Sequence, residues 1–548
     1  MFALPKIFFN LCNIFFSMGE EKFFWAEEVA KILLKQNRKV FVCEGMWTPS
    51  GHFHIGNCRP EVFVPFAVKR ELEKNGVKTK QNLVLDDFDP LDKIPEGLGL
   101  EKGEWQEHIG KPLYFVPSPF GSFKSWAEAF SSEVKSVLPE FGVKINIFSV
   151  FEKYREGAFN DLIVFSLNNA REIVSVWNRI AGTEKPLSFL PLQVICKSCG
   201  KTLYTEVLAW NGKKVKYKCI ACGNGGENAP FNGKAKLHWR VHWCANWIIN
   251  NVAFESGGKD HFSKGGSVDV GQALMKEVFK KPAPYQIPTE FIQLKGKKLA
   301  GSTGVVITPR EWLSVASPEL LRFLIFSYRP EKAIDFSFED NSFILLNERF
   351  ERAERIFYKK EKAENASIGK KIKKAFDLSL IEKPAKVQLQ IPFSHLALIA
   401  QLVVPEKEVE KAITMMKETG HVKAKLSQKE KEKIKRQLVR TIHWIEKYAS
   451  EQFKISFLEK LDESVLKEIP QDVRNSFSSL AEKLSSLRKA EEIQTAIFDF
   501  SKKQNLGSKE LFKGLYLILI GKGFGPKIGS LVLALGKDRC IERMKQAA

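Results

Sequence analysis

The sequence predicts an α/β protein, in which a parallel sheet covered by helices on both faces carries a small cysteine-rich insertion and precedes an all-helical domain. Three observations support this prediction. Strand-like and helix-like stretches alternate over residues 18–190 and again over residues 233–345, as in parallel sheets with helical crossovers. Two C-x-x-C pairs lie within residues 191–232. Residues 346–548 show helical periodicity almost throughout.

The composition describes a large, basic, globular chain. Its 548 residues are enough for roughly three or four domains. With 85 basic and 64 acidic residues the formal net charge is +21. This excess suggests a polyanionic partner, most simply nucleic acid, although lysines can also serve only to solvate a surface. No stretch is long and apolar enough to span a bilayer. The nine cysteines do not form the framework of a secreted protein, so we expect a reducing, cytoplasmic location and no membrane partner.

The first 17 residues are predicted to be an extension, or the result of a start codon placed too early. They are apolar but too short for a membrane helix, and Asn10 and Asn13 interrupt them. They also lack the basic start and the cleavage site of a secretory signal. We therefore expect the compact chain to begin near Met18.

A glycine-containing loop, Thr48–Asn57, organises the first part of the chain. Residues 39–43 before it are apolar and β-branched, as in a buried strand, and residues 60–75 after it have apolar positions at helical spacing. Loops of this kind direct backbone N–H groups and a helix N-terminus toward an anion. His52 and His54 can donate to phosphate oxygens from the same turn. The loop therefore indicates a phosphate site, although an ordinary strand–helix connection has the same appearance.

Later strands are predicted to bring carboxylates to the same edge of the sheet. Further strand-like stretches are residues 82–85, 113–116 and 145–148. Asp86 and Asp87 follow the first of these directly. Because ligands of parallel sheets bind beyond the carboxyl ends of the strands, these carboxylates and the first loop are expected to lie together. A long helical pattern then covers residues 158–180.

Four cysteines predict a structural zinc site. The two C-x-x-C pairs are formed by Cys196, Cys199, Cys219 and Cys222, and a glycine follows each pair. This spacing is typical of a tetrahedral zinc ion held by two knuckle turns. Four thiolates close the coordination shell and leave no open position for catalysis, so the predicted role of the metal is structural.

A basic, glycine-rich loop at residues 294–304 is predicted late in the α/β region. Its lysines and backbone N–H groups could clamp phosphates, or it could be a surface hairpin. Residues 346–548 contain no catalytic cluster. They predict either a plain helical bundle or a bundle with an RNA-facing basic surface.

Two motifs carry a resemblance to a known family. The His-Ile-Gly-Asn sequence at residues 54–57 and the K-x-x-x-S sequence at residues 298–302 resemble the two signatures of class I aminoacyl-tRNA synthetases. The chain is more specifically similar to the archaeal-type class I lysyl-tRNA synthetases, over nearly its whole length from about Met18. The further stretches that carry this resemblance are Pro49–Gly51, Asp86–Pro90, Leu237–Arg240, Gly258–His261, Pro318–Arg322 and Ala534–Arg539.

The sequence departs from the family pattern at a few positions. Asn57 stands where histidine is usual, and Ala300 and Gly301 weaken the second signature. His242 and Thr289 stand where the family tends to carry an acidic and an aromatic residue, respectively. These departures concern the detailed geometry of the amino-acid pocket.

The resemblance implies an architecture and an activity. A Rossmann-like catalytic domain would comprise residues 18–190 and 233–345, with a zinc-ribbon insertion at residues 191–232 and an anticodon-binding domain at residues 346–548. The implied lysine–tRNA ligase forms lysyl-adenylate from L-lysine and ATP, with Mg²⁺ on the phosphates, and transfers the lysyl group to tRNA(Lys). A monomer is favoured. The alternatives are a class I paralogue with another amino-acid specificity or without charging activity, and a non-catalytic zinc-ribbon RNA-binding protein.

The resemblance also implies roles for individual residues. The expected catalytic residues are His54, Asn57 and Lys298. The expected ATP-binding residues are His52, His54, Gly56, Asn57, Lys298 and Ser302. The expected amino-acid-binding residues are Thr48, Trp239, His261 and Asp260. For the carboxylate that faces the side-chain ammonium of lysine, Glu44, Asp86 and Asp260 are open alternatives.

Overall fold

A computed structural model describes residues 24–294, 296–298, 306–422 and 425–548. The predicted extension at residues 1–17 therefore lies outside the described residues. The chain divides into two compact units. The first segment of unit 1 ends at Trp312, and the unit also contains Leu321–Phe336 and Lys359–Lys383. Unit 2 contains Leu313–Leu320, Ser337–Tyr358 and Pro384–Ala548.

Unit 1 is built on a parallel sheet. Its strands, with those of three smaller sheets, are β1 (Phe41–Trp47), β2 (Thr79–Leu85), β3 (Asn146–Ser149), β4 (Leu192–Val194), β5 (Thr205–Trp210), β6 (Val215–Cys219), β7 (Gly225–Asn228), β8 (Ala235–Leu237), β9 (Val252–Gly258), β10 (Tyr285–Thr289), β11 (Ile292–Leu294), β12 (Lys297–Lys298) and β13 (Ile334–Asp335). The main sheet has five parallel strands in the order β10–β9–β1–β2–β3. The chain leaves β1 on one side and returns to β9 on the other, so a crevice is expected beyond the carboxyl ends of these two strands. The predicted α/β class is confirmed.

The helices of unit 1 follow amphipathic patterns. The first one, Trp25–Leu33, buries Trp25, Ala26, Val29, Ala30 and Leu33, which lie on one face at helical spacing. The further helices are Ile55–Asn57, Val64–Lys74, Lys102–Trp105, Trp126–Val137, Val150–Arg155, Asn160–Asn168, Ala170–Ala181, Trp239–Asn250, Ser267–Glu277 and Ala366–Ser379. The helices Pro309–Val315 and Pro318–Phe326 run across the division between the units.

The structure differs from the sequence prediction in two helical regions. The helix predicted over residues 158–180 is interrupted at Asn169, whose side-chain amide donates to the carbonyl oxygen of Phe165 at 2.7 Å and so ends the first helix. The helix predicted to begin near Pro60 begins earlier, at Ile55, and passes through a π-helical turn at Cys58–Phe63. Pro60 lies inside this turn, where a proline supplies no backbone N–H and disfavours a regular α-helical turn.

Residues 113–116, predicted as a strand, form a turn instead. Their backbone is bonded to the loop after β2: the N–H of Leu113 donates to the carbonyl of Asp89, and the N–H of Tyr114 donates to the carbonyl of Asp87, both at 2.9 Å. This segment is therefore bonded to the loop instead of being paired in the sheet, with Leu113 and Val116 buried and Phe115 exposed. The backbone hydrogen bonds fix the segment that carries Asp86 to Asp89.

Gly45 in β1 is required by a close approach of two backbone segments. A Cβ atom at this position would lie 2.2 Å from the carbonyl oxygen of Glu61 and 2.6 Å from its Cα atom. The side chain of Glu61 accepts a hydrogen bond from the N–H of Met46 at 2.8 Å. The π-helical turn therefore lies directly against the centre of the sheet and holds the first loop in place.

We expect Gly45→Ala to destabilise the protein by about 3 kcal/mol or more, because backbone atoms on both sides must move. The measurement is the midpoint of thermal unfolding. Gly103→Ala is the matched control, because a Cβ atom at Gly103 would meet nothing within 4 Å in the short helix Lys102–Trp105. Equal midpoints for the two variants would contradict the close approach.

The cysteine-rich insertion is a small antiparallel structure. Its base is the pair β4–β8, and its body is the three-stranded sheet β5–β6–β7. The insertion contacts the preceding part of unit 1 through the N–H of Thr202, which donates to the carbonyl of Gly110 at 2.7 Å. We refer below to β4 and β8 as the neck of the insertion.

Unit 2 is helical. Its helices are Asn341–Phe357, Phe393–Ala400, Val409–Glu418, Gln428–Lys447, Glu463–Lys467, Gln471–Ser485, Ala490–Lys503, Ser508–Ile520, Ile528–Leu535 and Lys537–Ala547. The predicted boundary between residues 345 and 346 falls inside the first of these. The longest, Gln428–Lys447, begins with a capping box between Ser427 and Glu430. Among the described helices of the chain, none is both long and apolar enough to cross a membrane.

Candidate active site

A cavity of about 580 Å³ lies beyond the carboxyl end of β1. Its volume is in the range of ligand pockets. Six of the residues predicted for ATP or amino-acid binding line it: Thr48, His52, His54, Asn57, Trp239 and His261. The remaining wall is formed by Met46, Trp47, Ser50, Gly51, Asp89, Asp92, Lys93 and Pro95. The structure thus joins two parts of the sequence that the cysteine-rich insertion separates.

The first loop is held firmly on its outer side. The indole N–H of Trp126 donates to the carbonyl of Ser50 at 3.1 Å. The ring of His52 packs edge-on against Phe130, with ring centroids 5.2 Å apart. His54 is buried and precedes the helix Ile55–Asn57, which also contains Gly56. The side-chain oxygen of Asn57 accepts a hydrogen bond from the N–H of His54 at 3.2 Å.

An aromatic cluster forms the opposite wall of the cavity. Trp239 stacks on Trp243 with ring centroids 5.2 Å apart, and the ring of His261 lies 6.0 Å from Trp239. The indole N–H groups of Trp243 and Trp247 donate to the carboxylate of Glu255 at 3.1 and 2.5 Å. Burial, together with the nearby Glu44, raises the pKa of Glu255 to about 8. The wall is therefore anchored on a buried carboxyl group.

None of the three carboxylates proposed to face the substrate ammonium lines the cavity. Glu44 is completely buried and accepts hydrogen bonds from the side chains of Asn82, Asn246 and Asn250 at 2.6 to 3.0 Å. Burial raises its pKa to about 7. Asp260 lies in the short turn Lys259–Phe262 after β9.

Asp86, the third candidate, is buried in an ion pair. The ammonium group of Lys236, from β8 in the neck of the insertion, donates to both carboxylate oxygens of Asp86 at 2.7 and 2.8 Å. Lys236 also donates to Oδ1 of Asp89. Burial alone would lower the pKa of Lys236, but the two carboxylates raise it above its ordinary value. Asp87 does not line the cavity either, and it accepts a hydrogen bond from the N–H of Phe151 at 2.9 Å.

Two carboxylates that had not been singled out, Asp89 and Asp92, do line the cavity. Asp89 accepts a hydrogen bond from the hydroxyl of Thr48 at 3.2 Å. Its position three residues after Asp86 in the same Asp-Asp-Phe-Asp-Pro sequence was the only available signal. The local sequence does not show that Asp86 is buried and that Asp89 reaches the cavity. Both positions depend on Lys236, which is remote from them in sequence.

Two of the residues that depart from the family pattern, His242 and Thr289, are buried. His242 lies 3.0 Å from the hydroxyl of Tyr154 through Nδ1, and its Nε2 lies 3.8 Å from Asp86. Burial holds its pKa well below the ordinary value, so the ring is neutral. Thr289 ends β10 and does not line the cavity.

The second basic loop is only partly described. Lys298 ends β12, which pairs with β11 through Gln293 and Leu294. The turn between them contains Gly296, whose φ of 75° lies in the left-handed region that glycine favours. Ser302 lies outside the described residues, as do Ala300 and Gly301.

The four predicted cysteines form one cluster. Their sulfur atoms all lie within 4.8 Å of one another, and the pairs Cys196–Cys222 and Cys199–Cys219 are each 3.7 Å apart. A tetrahedron with metal–sulfur bonds of about 2.3 Å has edges of about 3.8 Å. The φ angles of Gly200 and Gly223, 72° and 74°, give the two knuckle turns the same left-handed step. This geometry suits a tetrahedral metal ion.

Comparison with known proteins places the chain in a family. Residues 23–379 match the model of the family "tRNA synthetases class I (K)". Residues 409–548 match the model of an anticodon binding domain. The chain is 33% identical to a lysine–tRNA ligase of Thermococcus kodakarensis over 534 residues, which are 95% of this chain and 99% of that protein. It is 31% identical to the lysine–tRNA ligase of Pyrococcus horikoshii over the same coverage. The resemblance seen in the motifs is confirmed, and the chain belongs to the class I lysyl-tRNA synthetases.

Proposed function

We propose that this chain activates L-lysine with ATP and transfers the lysyl group to tRNA(Lys). The observation that carries the proposal is the cavity at the carboxyl end of β1. It brings the first loop, with His52, His54 and Asn57, against Trp239 and His261. In this proposal the loop would hold the phosphates and the aromatic wall would receive the amino acid within one cavity, as adenylate formation requires.

The first loop would hold the nucleotide. The lysine carboxylate attacks the α-phosphate of ATP, giving lysyl-adenylate and pyrophosphate, and such a reaction depends on positioning and on stabilisation of developing charge. His54 and His52 would donate to phosphate oxygens. The side-chain oxygen of Asn57 is engaged by the N–H of His54, which leaves its amide nitrogen to donate to the nucleotide. Gly56 would allow the adenosine to approach the backbone closely.

The second loop would act on the leaving group. By its place in the K-x-x-x-S sequence, Lys298 would neutralise pyrophosphate as it departs, with help from Ser302 and backbone N–H groups. Mg²⁺, when bound with ATP, would neutralise charge on the phosphates, and phosphate oxygens and water would be among its ligands. The wall formed by Trp239, His261 and Thr48 would receive the amino acid, and Asp260 stays a candidate for its recognition.

The four-cysteine cluster would hold one zinc ion. All four ligands are protein thiolates, so the metal has no open position for substrate. Its role would be to fold the insertion, whose neck supplies Lys236 to the active-site loop.

The test of the proposed function is amino-acid-dependent exchange of pyrophosphate into ATP, measured separately with each of the twenty amino acids. We expect exchange with L-lysine well above that with any other amino acid. Exchange with a different amino acid would identify a paralogue of altered specificity. ATP and amino-acid binding without exchange would favour a paralogue that has lost charging, and tRNA binding without ATP binding would favour a plain RNA-binding protein. We place the reaction in the cytoplasm, and a monomer stays our prediction.

The helical residues 346–548 would bind the anticodon arm of the tRNA. Their match to an anticodon binding domain supports this proposal, as does the lysine-rich composition of the chain. Contacts between lysines and phosphates release counterions, so tRNA affinity should fall steeply with salt concentration. Specificity should arise from unpaired bases that stack on aromatic or arginine side chains.

Phe524 is the clearest candidate for such stacking. Its side chain is 57% exposed, in a loop that the rest of unit 2 holds in place. The hydroxyl of Tyr516 donates to the carbonyl of Pro526 at 2.5 Å. A Cβ atom at Gly525 would lie 2.9 Å from the Tyr516 ring, so the loop lies tightly on that ring. A fixed, exposed phenyl ring beside lysines such as Lys527 suits an unpaired base and its phosphate.

We expect Phe524→Ala to raise the KM for tRNA in aminoacylation by about tenfold or more, because base–aromatic stacking contributes about 1–3 kcal/mol. Lysine-dependent exchange without tRNA should not change. Val404→Ala is the control, because Val404 is 49% exposed in the same unit. A variant at Phe524 that charges tRNA like the control would remove this residue from the proposed contact.

A further inference from the structure

We propose that Asp89 is the carboxylate that receives an ammonium group of the lysine substrate, and that Lys236 is the residue that positions it. This inference rests on the proposed function. Lysine carries two ammonium groups, one on Cα and one at the end of its side chain, and each needs an acceptor where binding removes it from water. The charge and the geometry around Asp89 both fit that role.

The charges around Lys236 do not balance. Its one positive charge is shared by two carboxylates, Asp86 and Asp89. His242, which also faces Asp86, is neutral because burial holds its pKa well below the ordinary value. The group therefore carries one net negative charge inside the protein. A cationic substrate group would complete it.

The excess charge resides on the carboxylate that reaches the cavity. The side chain of Asp86 is completely inaccessible, and both of its oxygens are bonded to Lys236. The side chain of Asp89 is 27% exposed and lines the cavity. Lys236 engages Oδ1 of Asp89, whereas Oδ2 accepts only the hydroxyl of Thr48 among the hydrogen bonds of the described residues. A carboxylate oxygen accepts two hydrogen bonds, so Oδ2 can take one more from the cavity.

The other acidic groups near the cavity fit this role less well. Glu44 and Glu255 are enclosed by three amides and two indoles, respectively, and neither lines the cavity. Asp92 lines it but is exposed, and ion pairs of solvated carboxylates contribute little. Asp89 also shares the cavity with the aromatic wall of Trp239 and His261, and aromatic faces favour cations.

Lys236 is a positioning residue in this scheme. It belongs to β8, in the neck of the cysteine-rich insertion. Its ammonium group contacts Asp89 in the loop after β2, which is 147 residues away in sequence. Its ammonium group keeps two carboxylates close together in one buried place. The insertion thereby supports the amino-acid pocket directly, rather than only lying beside it.

The principal test is Asp89→Asn in the full chain, a nearly isosteric change. Loss of one partner of a desolvated charge pair costs enough to raise the KM for lysine by about 30-fold or more. The KM for ATP should stay within about threefold, because Asp89 does not contact the nucleotide in the proposed arrangement. Asp92→Asn should change the KM for lysine by less than about fivefold. Asp161→Asn, at an exposed helical position, controls for a general loss of surface charge.

Two analogues identify the ammonium group that Asp89 receives. Norleucine lacks the side-chain ammonium, and 6-aminohexanoate lacks the α-ammonium. If Asp89 pairs with the side-chain ammonium, Asp89→Asn should weaken inhibition by 6-aminohexanoate and leave that by norleucine unchanged. If it pairs with the α-ammonium, the pattern should reverse. Any other pattern, or an unchanged KM for lysine, overturns the proposal.

The role of Lys236 is tested by the double variant Lys236→Met with Asp86→Asn. This pair removes one positive and one negative charge, so Asp86 is not left as an unpaired buried charge and only Asp89 loses its partner. We expect a raised KM for lysine and an unchanged KM for ATP. A wild-type KM for lysine would overturn the positioning role. An equal rise in the KM values for lysine and ATP would show that Lys236 is only structural. Wild-type protein without lysine-dependent exchange would instead contradict the proposed function itself.

Discussion

Replacing Cys199 with serine is expected to abolish metal binding and to unfold the cysteine-rich insertion. The four sulfur atoms lie within 4.8 Å of one another, and a site with three thiolates can no longer close a tetrahedral shell. Binding of structural zinc contributes about 10–16 kcal/mol in zinc-finger peptides. The small sheets β5–β6–β7 and β4–β8 bury little apolar surface without that contribution.

The measurement is zinc content after purification without chelator, together with hydrogen exchange of the insertion. Wild-type protein should contain about one zinc ion per chain, and the variant close to none. Ser198→Ala is the matched control, because Ser198 lies exposed between two of the ligands. Wild-type protein free of zinc would contradict the assignment.

The same variant should also lose lysine activation. The neck strand β8 carries Lys236, which is bonded to Asp86 and Asp89 beside the cavity. An unfolded insertion would release this lysine and leave two carboxylates without their partner. A variant that loses zinc but keeps full exchange activity would show that the neck folds independently of the metal.

The parts of the fold that local sequence decides could be predicted. The stretches predicted as strands at residues 39–43 and 82–85 overlap with β1 and β2, although β2 begins earlier, at the polar residues 79–81. The spacing of the four cysteines identifies their cluster without any knowledge of the fold. The turn at residues 113–116 could not be predicted in this way, because its backbone is hydrogen-bonded to the loop after β2 and not to a strand. The early start of the helix at Ile55 depends on Asn57, which accepts a hydrogen bond from His54.

The active site shows the same division. The first loop could be identified from its own residues. The acidic residue that faces the cavity could not be identified from the sequence. Asp86 looks equivalent to Asp89 in the sequence, and only the position of Lys236 separates a buried, neutralised carboxylate from one that faces the cavity. The alternatives Glu44 and Asp86 were reasonable by residue type. They are excluded from the cavity wall by hydrogen bonds to residues far away in the chain.

Lys298→Ala is expected to lower the rate of adenylate formation by about 10²- to 10³-fold, the effect of losing one charge-stabilising donor. Negative charge accumulates on the pyrophosphate only as its bond to the α-phosphate breaks. A cation at that position therefore stabilises the transition state more than the bound substrates. The KM for lysine should change little, because the amino acid binds at the wall of Trp239 and His261 in the proposed arrangement.

The discriminating measurement is the rate of lysine-dependent exchange at saturating ATP and lysine, which separates loss of the chemical step from loss of binding. Lys297→Ala is the matched control, since Lys297 is the other residue of β12 and carries the same charge. If general basic charge were sufficient, the two variants would lose activity equally. If Lys298→Ala exchanged at the wild-type rate while a variant at Lys295 or Lys297 lost exchange activity, Lys298 would not be the lysine that acts on pyrophosphate. The role would then belong to that lysine, because a single cation at the leaving group is what the chemistry requires.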